Sequence, residues 1–292
     1  MGLAASLIVN PSAGNGRAAR VLPQAQAALT KHGVDFHVER TDDLDHAREL
    51  AAAAAHAGEV AVALSGDGLI GAIAGVLADA EGVLGVLPGG RGNDFARALG
   101  IPFEIDAACR ALAEGRERPI DLGEVDGRPF IGIASAGFDS EANRVANQTR
   151  LVKGNLVYAY GALRALAGWR PARFTLELDG RPPASFTGYS FAAANSPAYG
   201  GGMFLAPDAR LDDGQLDMVC TGSGPRGRFL LNLPRVFSGR HVESPSVRIE
   251  RARQVRVSSD RPFTMYADGD PIGELPVTVR ARERALKVIA PP

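Results

Sequence analysis

Apolar residues follow two rhythms along this 292-residue chain, and the rhythm changes near residue 118. Upstream, short continuous apolar runs alternate with stretches in which Ala and Leu recur at helical spacing. Leu3 to Val9, Asp35 to Glu39, Val60 to Leu64 and Val83 to Leu87 predict strands, while Ala18 to His32, Leu44 to Ala57 and Ile105 to Glu114 predict helices. Runs that are apolar on both faces belong to strands covered on both sides, and their alternation with helices implies a parallel, three-layer α/β domain. Downstream, period-two alternation with Asp-Gly and Gly-rich turns predicts an antiparallel β-rich domain. Its strands fall at Glu124 to Ile133, Arg173 to Asp179, Phe186 to Ala194, Leu216 to Thr221, Val247 to Ile249, Val255 to Val257 and Val277 onward. Two helices interrupt it, Leu156 to Leu166 and Phe229 to Phe237, the second kinked or split by Pro234. The expected division is an α/β domain over 1–118, a β-rich domain over 119–284, and a tail, 285–292, packing back on the first.

Composition narrows the class. Hydrophobic residues make up 46% of the chain and charged ones 22%, enough for a sizeable core, and the net charge of −1 supplies no global field for nucleic acid or anionic lipid. Membrane contact therefore has to be local. Cys109 and Cys220 stand far apart, which builds neither a disulfide framework nor a zinc site and suits a reduced cytoplasm. No stretch reaches the roughly eighteen apolar residues of a membrane span, and no leader pattern opens the chain, so a soluble protein is expected. The start, Met1 to Ser6, fits the loose myristoylation pattern but reads better as the approach to the first strand. The five histidines show no metal spacing. Leu230, Leu231, Leu233, Val236 and Phe237 form an amphipathic stripe that, with Trp169, is assigned to the core; Arg226, Arg228 and Arg235 beside it keep a membrane-surface alternative open.

The candidate chemistry lies where apolar runs end in glycine. Ser65-Gly66-Asp67-Gly68 and Pro88-Gly89-Gly90-Arg91-Gly92-Asn93-Asp94 each close a strand and open a helix, so both loops fall at the carboxyl edge of one parallel sheet. Glycine lets the backbone approach a polyphosphate, and the following helix adds its positive end. Gly66 to Gly71 fits G-x-G-x-x-G, yet it follows the third strand instead of the first, and the next strand ends in Pro88 without the acidic residue of a dinucleotide site. No lysine-bearing P-loop occurs. Asn10-Pro11-Ser12-Ala13-Gly14-Asn15-Gly16 is either a capped turn or a third phosphate loop; two further loops at the same edge favour nucleotide contact. Thr41 also falls on that edge, where its simpler role is to cap the next helix. Asp67 and Asp94 among phosphates call for a metal or a proton. Asp212-Asp213-Gly214 and Asp268-Gly269-Asp270 read locally as hairpin turns, the first also as a hard-cation site.

Taken in order, Asn10 to Gly14, Ser65 to Gly68, Leu87 to Ala96, Asp121 to Gly123, Ser135 to Asp139, Gly200 to Met203, Leu211 to Gly214 and Asp268-Gly269 resemble the motifs of the soluble diacylglycerol kinase catalytic family, which includes bacterial lipid kinases and the sphingosine and ceramide kinases. The resemblance spans nearly the whole chain. It implies an N-terminal α/β nucleotide domain akin to NAD kinase, a C-terminal β-sandwich, and an active site in the cleft between them. It further implies transfer of the γ-phosphate of ATP, with Mg²⁺, to a lipid hydroxyl by a cytoplasmic protein that meets the membrane transiently, either alone or as a homodimer. By motif, Asn10, Pro11, Ser12, Ala13, Gly14, Thr41, Gly66, Asp67, Gly68, Gly90, Arg91, Asn93 and Asp94 would contact nucleotide. Asp270 would be the catalytic acceptor of the proton, Asp67 would organise phosphate and metal, and Asp121 would support them through an aspartate network. Asp213, with carbonyls of Arg210 and Gln215, would hold a structural Mg²⁺. The chain departs from the family pattern at Leu69, Ala72 and Arg91 and at Asp270, where the family has glutamate. Phosphorylation of a soluble acceptor, as in NAD kinase, and a non-catalytic nucleotide- or lipid-binding protein are the alternatives.

Overall fold

A computed structural model describes residues 3–138, 140, 141, 145, 164–166 and 168–291. Four parallel strands, β1 (Ala4–Val9), β2 (Asp35–Arg40), β3 (Val60–Ser65) and β4 (Val83–Pro88), lie in the order β4-β3-β1-β2. Five helices connect and follow them: α1 (Ala13–Lys31), α2 (Leu44–Ala57), α3 (Asp67–Asp79), α4 (Asp94–Ala98) and α5 (Ile105–Glu114). Every residue of β3 is buried, which is why its sequence is a continuous apolar run, whereas β2 at the edge alternates with exposed positions. The chain passes from β1 to β2 on one side and then to β3 on the other. The loops after β1 and β3 therefore flank the switch point at which open α/β sheets place ligands.

After α5 the pairing becomes antiparallel. Strands β5 (Arg116–Val125), β6 (Arg128–Phe130), β7 (Ile133–Gly137), β8 (Ala172–Leu178), β9 (Ala184–Ala194), β10 (Leu216–Gly222), β11 (Val247–Ala252), β12 (Gln254–Ser259), β13 (Thr264–Ala267), β14 (Asp270–Glu274) and β15 (Val277–Ala290) build the C-terminal β-sandwich. The run predicted from Glu124 to Ile133 is a hairpin, turned by Asp126 and Gly127 at positive φ, followed by the start of β7. The short strands β13 and β14 were not separated by the sequence pattern, which marks only the turn between them.

The strand β15 belongs to both halves. Its first residues pair antiparallel with β12, while Lys287 and Val288 run parallel beside Val83 and Leu84 of β4. Along most of its length it also pairs with β5, interrupted by a bulge at Arg284. Leu286, Val288, Ile289 and Ala290 join the core of the α/β half, as do Ile120 and Leu122, whereas Val125 and Val279 join the sandwich core.

The stripe assigned to the core is not buried as one face: Leu230, Leu231 and Phe237 are exposed, while Leu233 and Val236 are half-buried. The chain splits as expected before Pro234, into α6 (Arg226–Asn232) and a 3-10 helix (Leu233–Ser238), and the split aims the apolar residues in different directions. Phe229 packs α6 inward, stacking on Tyr189 with ring centroids 4.0 Å apart and meeting Phe138 edge-on. Leu231 is 77% exposed, Phe237 58% and Leu230 36%. Trp169 is buried against Phe138, as expected of a core residue. Most of the helix expected at 156–166, together with Asp139 and Gly2, lies outside the described residues. Among the described residues, no helix is long and apolar enough to cross a membrane.

Candidate functional site

Three loops meet backbone to backbone at the carboxyl edge of the parallel sheet. A Cβ on Gly90 would lie 2.3 Å from the Cα of Gly66, and one on Gly14, whose φ is +59°, would lie 2.9 Å from the Gly89 carbonyl oxygen. No side chain fits between them, so glycine here is a condition of assembly. The residues Gly14, Asn15 and Gly16 all have positive φ, and α1 becomes regular only after them. Asn10 holds the turn before them, its Oδ1 accepting from Ser12 N at 3.0 Å and Ser12 Oγ at 2.7 Å. Buried Asn93 closes the loop after β4: its Oδ1 accepts from Gly90 N (2.8 Å) and its Nδ2 donates to Gly90 O (3.2 Å). Arg91, at the crest of that loop, is exposed. Thr41 is buried and donates to the Asp43 carbonyl; the helix cap expected of it is supplied by Asp43, which accepts from His46 N.

Two carboxylates sit at this junction. Asp67, the first residue of α3, accepts from Asp94 N (3.1 Å) and Phe95 N (2.9 Å) at the start of α4. Burial raises its proton affinity, the Phe95 amide opposes that, and the charge on Asp94 reinforces it. Asp94 is itself buried; its Oδ2 accepts from Gly201 N at 2.6 Å, whereas its buried Oδ1 accepts no hydrogen bond and has Arg97 Nε at 3.7 Å. Through Gly201 the β-sandwich half reaches into the glycine junction. A buried carboxylate oxygen without a donor, beside a second carboxylate and a cradle of glycines, suits a cation or the donors of a ligand.

A cleft of about 450 Å³ opens beside this junction, between the face of α3 bearing Gly68, Gly71 and Gly75, Pro129 of β6, and the β13-β14 hairpin. The turn of that hairpin is Asp268-Gly269, both at positive φ, as a two-residue Asp-Gly hairpin requires. The Asp268 carboxylate is drawn inward and accepts from Ile131 N (2.8 Å) and Gly132 N (2.9 Å). Its pKa is pushed up to about 7, chiefly by burial, against the pull of those two amides and with a contribution from Asp67 across the cleft. Asp270 opens β14 on the same cleft wall and is exposed. Sequence reasoning missed the inward carboxylate of Asp268: a local Asp-Gly turn signal carries no information about amides 136 and 137 residues away.

The acidic turn forms a separate cluster. Asp121 on β5 is completely buried, and its two oxygens accept from Gly214 N (2.6 Å) and Arg284 N (2.7 Å), pinning the turn to the bulge of β15. Asp213 Oδ1 accepts from Gln215 N at 3.1 Å, with its other oxygen 3.8 Å from Arg251 Nη1. Asp212 lies between Arg118 (2.7 Å) and Arg210 (3.4 Å), and the Arg118 hydrogen bond holds its carboxyl below the usual range. Among the described residues no three His, Cys, Asp or Glu side chains converge on a metal position. Asn195, absent from the sequence reading, joins the cluster to the cleft: its Nδ2 donates to the carbonyls of Asp121 (3.1 Å) and Ile131 (3.0 Å), and the N–H of Ile131 in turn holds Asp268.

Known proteins resemble this chain in sequence and in fold. Residues 4–125 match the diacylglycerol kinase catalytic domain, and residues 132–290 match the YegS C-terminal NAD kinase beta sandwich-like domain. A diacylglycerol kinase of Mycobacterium tuberculosis is 36% identical, over 97% of this chain and 94% of its own, and one of Bacillus subtilis is 31% identical, over 98% and 96%. In fold, the chain is similar to the crystal structure of a putative diacylglycerol kinase from Bacillus anthracis, with a TM-score of 0.82 at 20% identity over 100% of this chain and 98% of that one. It is more distantly similar to an NAD kinase from Archaeoglobus fulgidus in complex with ATP, with a TM-score of 0.53 at 13% identity over 99% and 94%. With both halves matched and near full-length relatives above 30% identity, the chain belongs to the diacylglycerol kinase catalytic-domain family.

Proposed function

We propose that this chain is an ATP- and Mg²⁺-dependent lipid kinase that transfers the γ-phosphoryl group of ATP to the hydroxyl of a diacylglycerol, giving phosphatidic acid. The observation that carries this reading is the junction itself: half-buried Asp67 and buried Asp94 in a side-chain-free glycine cradle, beside a cleft that begins at Gly68 and is walled on its far side by Asp268 and Asp270. Asn10 to Gly14, Thr41, Gly66 to Gly68 and Gly90 to Asp94 hold the nucleotide phosphates, with loop amides and the Arg91 guanidinium as donors. Asp67 sets the position of the phosphates. Mg²⁺, when bound, offsets phosphate charge, while Asp213 with the Arg210 and Gln215 carbonyls holds a structural ion. In the transfer, the lipid hydroxyl oxygen bonds to the γ-phosphorus, the bond from that phosphorus to the bridging oxygen of the leaving diphosphate breaks, and the hydroxyl proton passes to Asp270. Asp121 acts at one remove, by fixing the acidic turn. The reading places the protein in the cytoplasm, touching a membrane only to reach its substrate.

A second assignment of the proton acceptor has its own support, since Asp268 is the enclosed carboxylate and burial pushes its pKa up to about 7, which strengthens its ionised form as a base. The test is transfer of radiolabelled γ-phosphate into mixed micelles of diacylglycerol, with sphingosine, ceramide and NAD⁺ as parallel acceptors. Label is expected in phosphatidic acid; label in NAD⁺ alone, or in none, overturns the reading. Asp270→Asn is expected to abolish turnover with ATP binding kept, and full turnover in that variant together with loss in Asp268→Asn moves the role to Asp268.

A further inference from the structure

Four large hydrophobic side chains stand exposed among the described residues, and three of them, Leu230, Leu231 and Phe237, belong to α6 and the 3-10 helix that follows. The residues around them are basic. From 225 to 243 the chain carries four arginines and one glutamate, within a protein of net charge −1. Arg228 has no ion-pair partner among the described residues, Arg226 spends one hydrogen bond on the Trp169 carbonyl, and Arg235 and Arg240 share the single carboxylate of Glu243. A positive excess thus surrounds apolar side chains that the fold leaves uncovered.

This face is tied to the phosphate junction by a short chain of contacts. Phe204 N donates to the Val236 carbonyl at 2.9 Å, and His241 Nε2 meets the Leu205 carbonyl at 3.0 Å. Phe204 is three residues from Gly201, whose N–H binds Asp94, and three residues span at most about 11 Å. The fourth exposed hydrophobic, Phe103, lies beneath the Arg97 guanidinium (4.8 Å), and Arg97 in turn pairs with Asp94. The exposed apolar face is thus joined to the glycine junction through the segment from Gly201 to Phe204.

We propose that α6 and the following 3-10 helix dock this protein on an anionic bilayer, Leu231 and Phe237 entering the headgroup boundary and Arg228, Arg235 and Arg240 meeting lipid phosphates. Short amphipathic segments bind interfaces by this combination of apolar burial and basic charge. A second copy of the chain fits less well: a two-fold contact would set the same arginines against one another, and so few side chains fall short of the roughly 800 Å² that a stable partner covers. The proposal rests on the lipid-kinase reading for its purpose, but its test does not require turnover.

The experiment is co-sedimentation of the full chain, without nucleotide, with vesicles of phosphatidylcholine alone or mixed with phosphatidylglycerol. Binding is expected only with the anionic vesicles and is expected to fall with added salt. The double variant Leu231→Ser/Phe237→Ser should weaken it by roughly tenfold or more, and Arg228→Glu by roughly fivefold or more. If the double variant melts below the parent, Arg228→Glu alone decides. Equal binding by variant and parent overturns the proposal, as does a parent that ignores anionic vesicles. A parent dimer that the double variant dissolves overturns it too, by making this face a contact between copies. Phosphorylation of a monomerically dispersed short-chain diacylglycerol separates the two readings. Turnover retained in the double variant while vesicle binding is lost supports docking. Vesicle binding by a parent that phosphorylates no lipid refutes only the kinase reading.

Discussion

The glycine junction and the acidic turn both gather carboxylates, but they treat them in opposite ways. At the junction Asp67 is pushed toward protonation by burial, and Asp94 keeps a buried oxygen without a donor. At the turn Asp212 is held ionised by Arg118, and Asp121 has both oxygens occupied by backbone amides. Asp67, like Asp121, has a backbone amide on each oxygen, so the difference rests on Asp94, whose second buried oxygen is left short of a donor. Burial alone does not distinguish the two, since Asp121 is the more buried; the inventory of partners does.

That contrast can be broken most severely at the junction. Asp94→Asn should lower phosphate transfer on the order of a hundredfold or more while the melting temperature changes little, because the Asn oxygen can keep the Gly201 amide and the missing charge matters to the ligand more than to the fold. A fall in stability of the same size as that of a core variant would erase the distinction. At the turn the pattern should reverse. Asp121→Ala strands the amides of Gly214 and Arg284 inside the protein, and urea unfolding should show a loss of about 3 kcal/mol, at one to three for each stranded donor.

The third effect is a slope. Asp268, pushed up from 3.8 to about 7, binds its proton more tightly in the folded chain than in the unfolded one. Its contribution is therefore complete below pH about 4 and is lost as the pH rises through about 7. Urea midpoints across that window should fall less steeply with pH in Asp268→Asn than in the parent; parallel curves would show that the carboxylate is solvated.

Much of this organisation was legible in the sequence. Buried parallel strands are uniform apolar runs, so the bounds of α2 and α5 and the cores of β1 to β4 follow from the pattern. The three glycine loops were legible for a related reason, since residues without side chains mark where backbones must touch. What the sequence withheld was direction. The stripe at 230–237 has the composition of a buried face, and only the packing around Phe229 shows that Leu230, Leu231 and Phe237 stay exposed while Leu233 and Val236 are half-buried. Likewise Asp268 is a turn residue in any local reading, and it becomes a cleft residue through the amides of Ile131 and Gly132 and the Asn195 bridge behind them, contacts formed across large sequence separations.

The double membership of β15 has a consequence for how the chain is made. Synthesis delivers β1 to β4 early, yet the open edge of β4 finds its partner only when Lys287 and Val288 emerge, some two hundred residues later. Until then the nascent parallel sheet presents an unpaired strand that can template pairing with other chains. The α/β half thus completes its sheet last, at the very strand that joins it to the sandwich, and a chain cut short before β15 is expected to leave the β4 edge open to pairing with other chains.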